Sequence, residues 1–378
     1  MEFVVNKRDF VRALSRVQSV ADKKASMPIL GNVLIVGDAS GIRLAATDMT
    51  LAVTAHCKAD VRKPGTVALP ARHIFDVVKV LPEGDVTLTV EKNFSARIKS
   101  GKRRFDLSGM PGEDFPAFPD PSKVSLTQVP ADDLADLIAM TQFSMSTDDT
   151  RPHLSAALFE MAGETLRVVT TDGHRLSKAE RRVTGMKGAS KLLIPLKAVH
   201  ELKRMVDELR AEKKEAGAQG PATIGLGAAS SQGPVFFQRE GMTLSSKLVD
   251  AAFPSYEQVI PSATDRTVTA SRTALLDALR AVSLVASDRT SGVKLAISAT
   301  RMIITSENPD IGAGMDEIDA SLQGPDVTIG FNSKYLTDAL SALTSDEVAL
   351  ELSGELDPGM IKPVGRDDYL GVIMPMRI

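Results

Sequence analysis

The sequence predicts an α+β chain made of three copies of one domain, each with two helices and antiparallel sheets. Three observations carry that expectation. A short apolar run that breaks at a polar turn occurs three times, as Ile42-Arg43-Leu44-Ala45-Ala46-Thr47-Asp48, Leu166-Arg167-Val168-Val169-Thr170-Thr171-Asp172 and Met302-Ile303-Ile304-Thr305-Ser306. The three runs stand a domain's length apart, the signature of an internal repeat. Each interval holds helix candidates followed by several alternating stretches, without strict β-α-β order, which favours antiparallel sheets. Finally, Phe115-Pro116 closes the first copy as Phe253-Pro254 closes the second. The copies are placed at 1–120, 121–261 and 262–378.

In the first copy, Phe10, Leu14, Val17 and Ala21 form one stripe at helical spacing, and Arg8, Arg12, Arg16 and Lys23 another. This predicts a helix over 7–21 with an apolar back and a basic front. Met27-Pro28-Ile29-Leu30-Gly31-Asn32 leads into a strand at 33–36, and a second strand covers 42–46. Pro70 precedes a helix to Leu81, with Ile74, Val77, Val78 and Leu81 buried and Arg72, Asp76 and Lys79 outward. Val86, Leu88 and Val90, then Phe94, Ala96 and Ile98, alternate about a turn at Asn93. Arg103 to Leu107 is a further strand.

The second copy repeats this order. A helix over 130–143 carries Asp132, Asp133 and Asp136, strands follow at 154–160 and 166–171, and Asp172-Gly173 marks a turn. A strand at 191–194 meets a helix at 196–209, and the charged stretch Glu208 to Pro221 is expected to form a hairpin-loop insertion. In the third copy Ser271 caps a helix through Leu275, Leu279 and Val282, and Asn332-Ser333 opens another. A strand from Tyr369 to Ile378 ends the chain.

Composition narrows the function classes. The chain has 378 residues, of which 43% are apolar and 25% charged, as in ordinary globular domains. No apolar run is long enough to span a bilayer, and the N-terminal residues lack the apolar core of a signal peptide. The lone Cys57 allows no internal disulfide and fits a reducing cytoplasm. A net charge of −3 argues against a generally basic nucleic-acid binder but permits a basic face. The absence of Trp argues against stacking on single strands.

Motifs for chemistry are lacking. The five histidines, His56, His73, His153, His174 and His200, show no metal-ligand spacing, and neither a phosphate loop nor a dinucleotide fingerprint occurs. No cofactor is expected. Asp172 and His174 could orient one another, but on a turn such residues serve the backbone more often than catalysis. The residue pattern alone describes a scaffold.

Five segments in register then carry a resemblance over the whole chain: Met27-Pro28-Ile29-Leu30-Gly31-Asn32, Thr171-Asp172-Gly173-His174-Arg175-Leu176, Ser246-Lys247-Leu248-Val249-Asp250, Gly330-Phe331-Asn332 and Met374-Pro375-Met376-Arg377-Ile378. Together they resemble the sliding-clamp family, the β subunits of bacterial DNA polymerase III. The resemblance implies three DNA-clamp domains per chain and a head-to-tail homodimer that closes into a ring around double-stranded DNA. It implies no catalysis. It gives the basic residues Arg8, Arg12, Arg16, Lys23, Lys24, Arg72, Lys79, Lys197 and Lys203 a DNA-facing role. It places Arg103, Arg104, Phe105 and Leu107 across a joint from Leu284 and Val285. It also implies a pocket for a short glutamine-led apolar peptide of the replicative polymerase, the clamp loader and other clamp-binding proteins. The positions matching that pocket are Leu154, Thr171, Gly173, His174, Arg175, Leu176, Pro254, Val259, Asn332, Tyr335, Val372, Ile373, Met374, Pro375, Met376 and Arg377. Against the family pattern, Gln258 stands in place of an Arg, Thr290 in place of an aromatic, and Pro152-His153 in place of an aromatic pair. The alternatives kept open are an enzyme built on Asp172, His174 and Arg175, and a peptide adaptor that forms no ring.

Overall fold

The structure is a computed structural model and describes residues 1–21, 27–186, 188–217, 220–230, 232–287 and 291–377. Lys23, Lys24 and Thr290 lie outside the described residues. The chain divides into two compact units, one of residues 1–131 with 200–248, the other of residues 132–199 with 249–378. The second repeat is therefore shared between the two units.

Six α-helices occur among the described residues: α1 (Lys7–Gln18), α2 (Ala71–Val80), α3 (Ala131–Thr141), α4 (Leu196–Ala216), α5 (Arg272–Val282) and α6 (Ser333–Ala342). They fall in pairs, two per repeat. Caps are those the sequence offers. The Asn6 side chain accepts from the Arg8 amide, Ser271 from Ala274, and Asn332 from Lys334 and Tyr335. Each apolar stripe is buried, with Phe10, Ala13, Leu14 and Val17 inward on α1 and Leu275, Leu276, Ala278, Leu279 and Val282 on α5. No helix among the described residues is long and apolar enough to cross a membrane.

The first unit holds two sheets. Five strands run in the order Asp60–Lys63, Glu2–Asn6, Asp85–Val90, Ala96–Ser100, Arg103–Leu107. Eight run in the order Thr127–Pro130, Thr223–Ala228, Val235–Arg239, Met242–Ser246, Leu51–Cys57, Gly41–Thr47, Asn32–Asp38, Gly65–Pro70. The second unit carries one twelve-stranded sheet: Ala189–Pro195, Ala156–Ala162, Thr165–Thr171, Arg175–Arg182, Tyr369–Ile373, Gly359–Pro363, Glu347–Leu352, Arg266–Ser271, Gly312–Gln323, Arg301–Asn308, Gly292–Ser298, Val327–Asn332. Among the described residues every strand pairing is antiparallel, for instance Met242 with Ala55 and Arg175 with Ile373. A strand of one repeat thus continues the sheet of the next, and this sharing explains why units and repeats do not coincide.

Several expectations are corrected. The stretch from Glu208 does not loop out; α4 continues to Ala216. Ala, Glu and Lys there are good helix formers, and Glu208 and Glu212 face cations instead of solvent. Arg16 binds Glu208 at 3.0 Å and Glu212 at 2.7 Å, and Arg239, its side chain 5% exposed, binds both carboxylates. Helix α1 stops at Gln18, short of Ala21, where the Arg204 guanidinium reaches the carbonyls of Ser15 and Arg16 at 2.6 Å. Phe94 does not extend the strand alternation but sits at φ 63° beside Asn93, whose side chain accepts from the Ser95 amide. The last strand ends at Ile373, not Ile378. Pro375 has no amide to pair, and the amides of Met374 and Met376 go to the carbonyls of His174 and Gly330.

Candidate functional site

The turn after Thr171 builds the site. Thr171 Oγ1 donates to the Arg175 carbonyl at 2.7 Å and accepts from the Gly173 amide at 3.1 Å. Asp172 Oδ1 accepts from the amides of His174 and Arg175. Gly173 has φ 92°, a conformation that costs other residues strain. The first repeat contains the same turn. Thr47 Oγ1 donates to the Leu51 carbonyl at 2.8 Å and accepts from Met49, while Asp48 Oδ1 accepts from Thr50 and Leu51. There a non-glycine, Met49, takes φ 74°. The strand that follows also matches, since the Lys247 amide donates to Thr50 as the Met374 amide donates to His174.

In the second unit the turn opens onto a cavity of about 220 Å³, mostly apolar, lined by His153, Leu154, Thr171, Gly173, Arg175, Leu176, Pro254, Ser255, Tyr256, Val259, Val372 and Met374. Nine of these are residues that the resemblance puts in the pocket. His153, Ser255 and Tyr256 are additional; Tyr256 belongs to the Phe-Pro-Ser-Tyr segment that signals the end of the repeat. The remaining expected residues do not line the cavity. His174 stacks on Tyr335 with ring centroids 6.5 Å apart, and Asn332 caps the helix bearing Tyr335. Ile373 is buried in the last strand, Pro375 and Met376 are half-buried, and Arg377 is exposed. Gln258 is exposed on the short turn after Tyr256.

Arg175 forms the polar edge of this cavity. Its Nε meets Asp172 Oδ2 at 3.0 Å, its Nη1 meets Asp338 Oδ2 at 2.7 Å, and its Nη2 donates to the Phe143 carbonyl. The guanidinium lies 4.5 Å from the Tyr335 ring centre and 5.4 Å from that of Phe143. Burial raises the pKa of Tyr335, and the Asp172 carboxylate raises it further. His174 faces an aromatic ring instead of a nucleophile, and Asp172 is spent on the turn and on Arg175. The arrangement offers a mostly apolar hollow and no acid–base pair. Among the described residues no cluster of His, Cys, Asp or Glu could hold a metal ion.

Behind the cavity wall lies a row of charge. Lys191, Glu160, Arg167 and Glu180 occupy directly paired positions on four adjacent strands, so their signs alternate across the sheet. Burial pushes the Glu160 carboxyl up, but hydrogen bonds from Lys191 and Tyr256 outweigh it and hold it below the usual range. Burial, with the bond to Glu160, holds the Tyr256 phenol well above its usual range.

The basic residues differ in how free they are. Arg8 is 81% exposed beside Glu83, and Arg12 lies 4.0 Å from Glu212. Arg72 pairs loosely with Asp76 at 3.6 Å, Lys79 stands over Phe75, and Lys203 pairs with Asp207. Lys197 is exposed at the start of α4. Arg16 is the correction: its side chain is only 11% exposed, because Glu208 and Glu212 draw it inward.

Two strand edges concern the expected joint residues. Arg103–Leu107 pairs on one side only, with Phe105 and Leu107 half-buried and Arg104 held by Asp106. In the second unit, among the described residues, the 312–319 part of Gly312–Gln323 pairs with Arg301–Asn308 alone, since its other neighbour engages residues 320–323. Beside it, Leu284 is 82% and Met315 71% exposed, and Ile311 is exposed as well. Val285 packs so close to Gly314 that a Cβ there would meet it at 2.8 Å.

Comparison with known proteins gives the same pattern along the whole chain. Family models for the DNA polymerase III beta subunit match in three parts, the N-terminal domain at residues 1–119, the central domain at 128–255 and the C-terminal domain at 257–377. The beta sliding clamp of Escherichia coli K12 is 31% identical over 380 residues, and that of Vibrio cholerae 30% over 382, with complete coverage of both chains in each case. The crystal structure of the DNA polymerase III subunit beta from Pseudomonas aeruginosa superposes with a TM-score of 0.92 at 29% identity, covering both chains fully. The sliding clamp of Bartonella birtlesii, solved bound to griselimycin, superposes with a TM-score of 0.90 at 32% identity, again with full coverage. The chain belongs to the DNA polymerase III beta subunit family, the beta sliding clamps, non-catalytic processivity factors of DNA replication.

Proposed function

We propose that two copies of this chain close head to tail around duplex DNA in the cytoplasm, and that the cavity at Gly173 and Met374 tethers the replicative polymerase, the clamp loader and other partners by a short apolar peptide. Each chain would contribute three clamp domains, at 1–120, 121–261 and 262–378. The observation that carries the tethering is the cavity itself, a small apolar hole with one cationic edge at Arg175 and adaptable Met374 at its mouth. The joint is supported by the two open edges, one with Phe105 and Leu107, the other beside Leu284 and Val285, where a strand-to-strand contact would cover both. The basic side chains of Arg8, Arg12, Arg72, Lys79, Lys197 and Lys203 suit phosphate without base reading.

The test is peptide affinity by calorimetry for Met374→Ala with Met376→Ala. Loss of a large share of the affinity, at unchanged dimer mass and melting temperature, is expected, because a few buried anchors dominate such contacts. Unchanged affinity in a well-folded variant would place the pocket elsewhere.

A further inference from the structure

One wall of the cavity, Pro254 to Val259, belongs to a segment with little regular structure. Its ordered part is a four-residue 3₁₀ turn, Tyr256–Val259. What holds this wall to the sheet is a side chain. The Tyr256 ring lies in an apolar cluster with Leu158, Val169, Leu176 and Val372, and Phe253 meets its edge at 6.4 Å. Its hydroxyl then passes beyond the cluster and donates to Glu160 Oε2 at 2.7 Å, while Arg167 Nη1 donates to the same hydroxyl at 3.3 Å.

Glu160 is a firm anchor. Its side chain is 8% exposed, and Lys191 Nζ at 2.7 Å and Arg167 Nη1 at 3.3 Å fix its two oxygens from neighbouring strands. Arg167 is itself fixed by Glu180 at 2.8 Å. Beyond this row the sheet opens to a second cavity of about 570 Å³, which Glu160, Arg167, Lys191 and Glu257 line. Tyr256 therefore stands between an apolar pocket and a charged hollow, and its bond to Glu160 ties the wall to the sheet.

We propose that Tyr256, through Glu160, is a positioning residue that sets the width of the pocket and so its selectivity among apolar peptide anchors. This rests on the reading of the cavity as the partner-peptide pocket. A wall held by the Tyr256 ring and by the bond of its hydroxyl to Glu160 is ordered before the peptide arrives. If the bond is removed, ordering the wall draws on the binding free energy and the affinity falls by the fraction of competent pockets. A looser wall also discriminates less between anchors of different size.

The experiment uses the full-length chain and two fluorescein-labelled peptides, Gln-Leu-Ala-Leu-Phe and Gln-Leu-Ala-Leu-Leu, with Kd from polarisation. Tyr256→Phe keeps the ring and removes the bond. It should weaken the better peptide about fivefold, the scale of one ordinary hydrogen bond's net contribution. It should also shift the ratio of the two affinities at least twofold toward unity. Glu160→Ala should reproduce both effects, and the double variant should lose no more than the larger single change, since the two variants share the Tyr256–Glu160 bond. A merely structural role would lower the melting temperature and leave the ratio unmoved. Met374→Ala with Met376→Ala is the control for the pocket. If that control loses affinity while Tyr256→Phe keeps both Kd values, or if the two single losses add, the role of Tyr256 is refuted and the pocket stands. If the control also binds as before, the pocket reading fails and this inference fails with it.

Discussion

Arg175 satisfies two carboxylates, a carbonyl and two aromatic faces with one planar cation. A lysine could not reproduce that fork, and alanine would leave Asp172 and Asp338 with no counter-charge. Removing one partner of a fully buried pair costs about 3–5 kcal/mol, and these carboxylates are partly exposed, so Arg175→Ala should cost about 2–3 kcal/mol. A fall in melting temperature of about 5–10 °C by calorimetry is expected for a unit of this size. No fall would mean that the network is ornamental. The turn that presents Arg175 is legible in the sequence, because Asp-Gly encodes its own backbone bonds locally. The partners of the side chain are not. Phe143, Asp338 and Tyr335 come from distant segments, and neither periodicity nor spacing announces them. Tyr256 is hidden for the same reason, since Glu160 meets it only once the sheet has formed. Arg16 misleads in the opposite sense: its helical stripe reads as solvent-facing, yet Glu208 and Glu212 arrive from elsewhere to take it in.

Helices and hairpins are the part of the fold that the residues declare most openly. The apolar stripe of α1, the Pro70 entry to α2 and the caps at Ser271 and Asn332 all lie within one or two turns of the element they define. The second half of α4 is misread because a run of Glu, Lys and Arg looks the same in a loop as on a helix whose face meets buried arginines. The same limit applies to strand edges, since no sequence pattern tells an edge from an interior strand. The open edge at 312–319 and the exposed Leu284 give the proposed joint its physical content. In that joint the apolar pair would supply most of the burial energy, and Arg103 and Arg104 against Asp316 and Glu317 would supply register. Leu284→Ala with Val285→Ala should therefore yield monomers in sedimentation at low micromolar concentration, with each chain still folded. An unchanged dimer would move the joint.

The whole chain carries a net charge of −3, so any hold on DNA must come from how its cations are distributed. With no base-reading motif, direct binding should be weak and indifferent to sequence. It should fall with salt at a log–log slope of roughly 0.9 per phosphate contacted. A slope near zero, or a preference for one sequence, would contradict that. The three-fold repeat is visible in the residues, but the way neighbouring repeats pool their strands into shared sheets is not, because each strand pattern is compatible with either partner. Retention on DNA by topology is the property that separates a ring from an adaptor. The most direct measurement loads the protein with its clamp loader and ATP onto nicked circular duplex, removes free protein by gel filtration at high salt, and then linearises half the sample. Protein that stays with the circle and leaves the linear form is the result expected of a closed ring. Equal retention on both forms, or on neither, would contradict it.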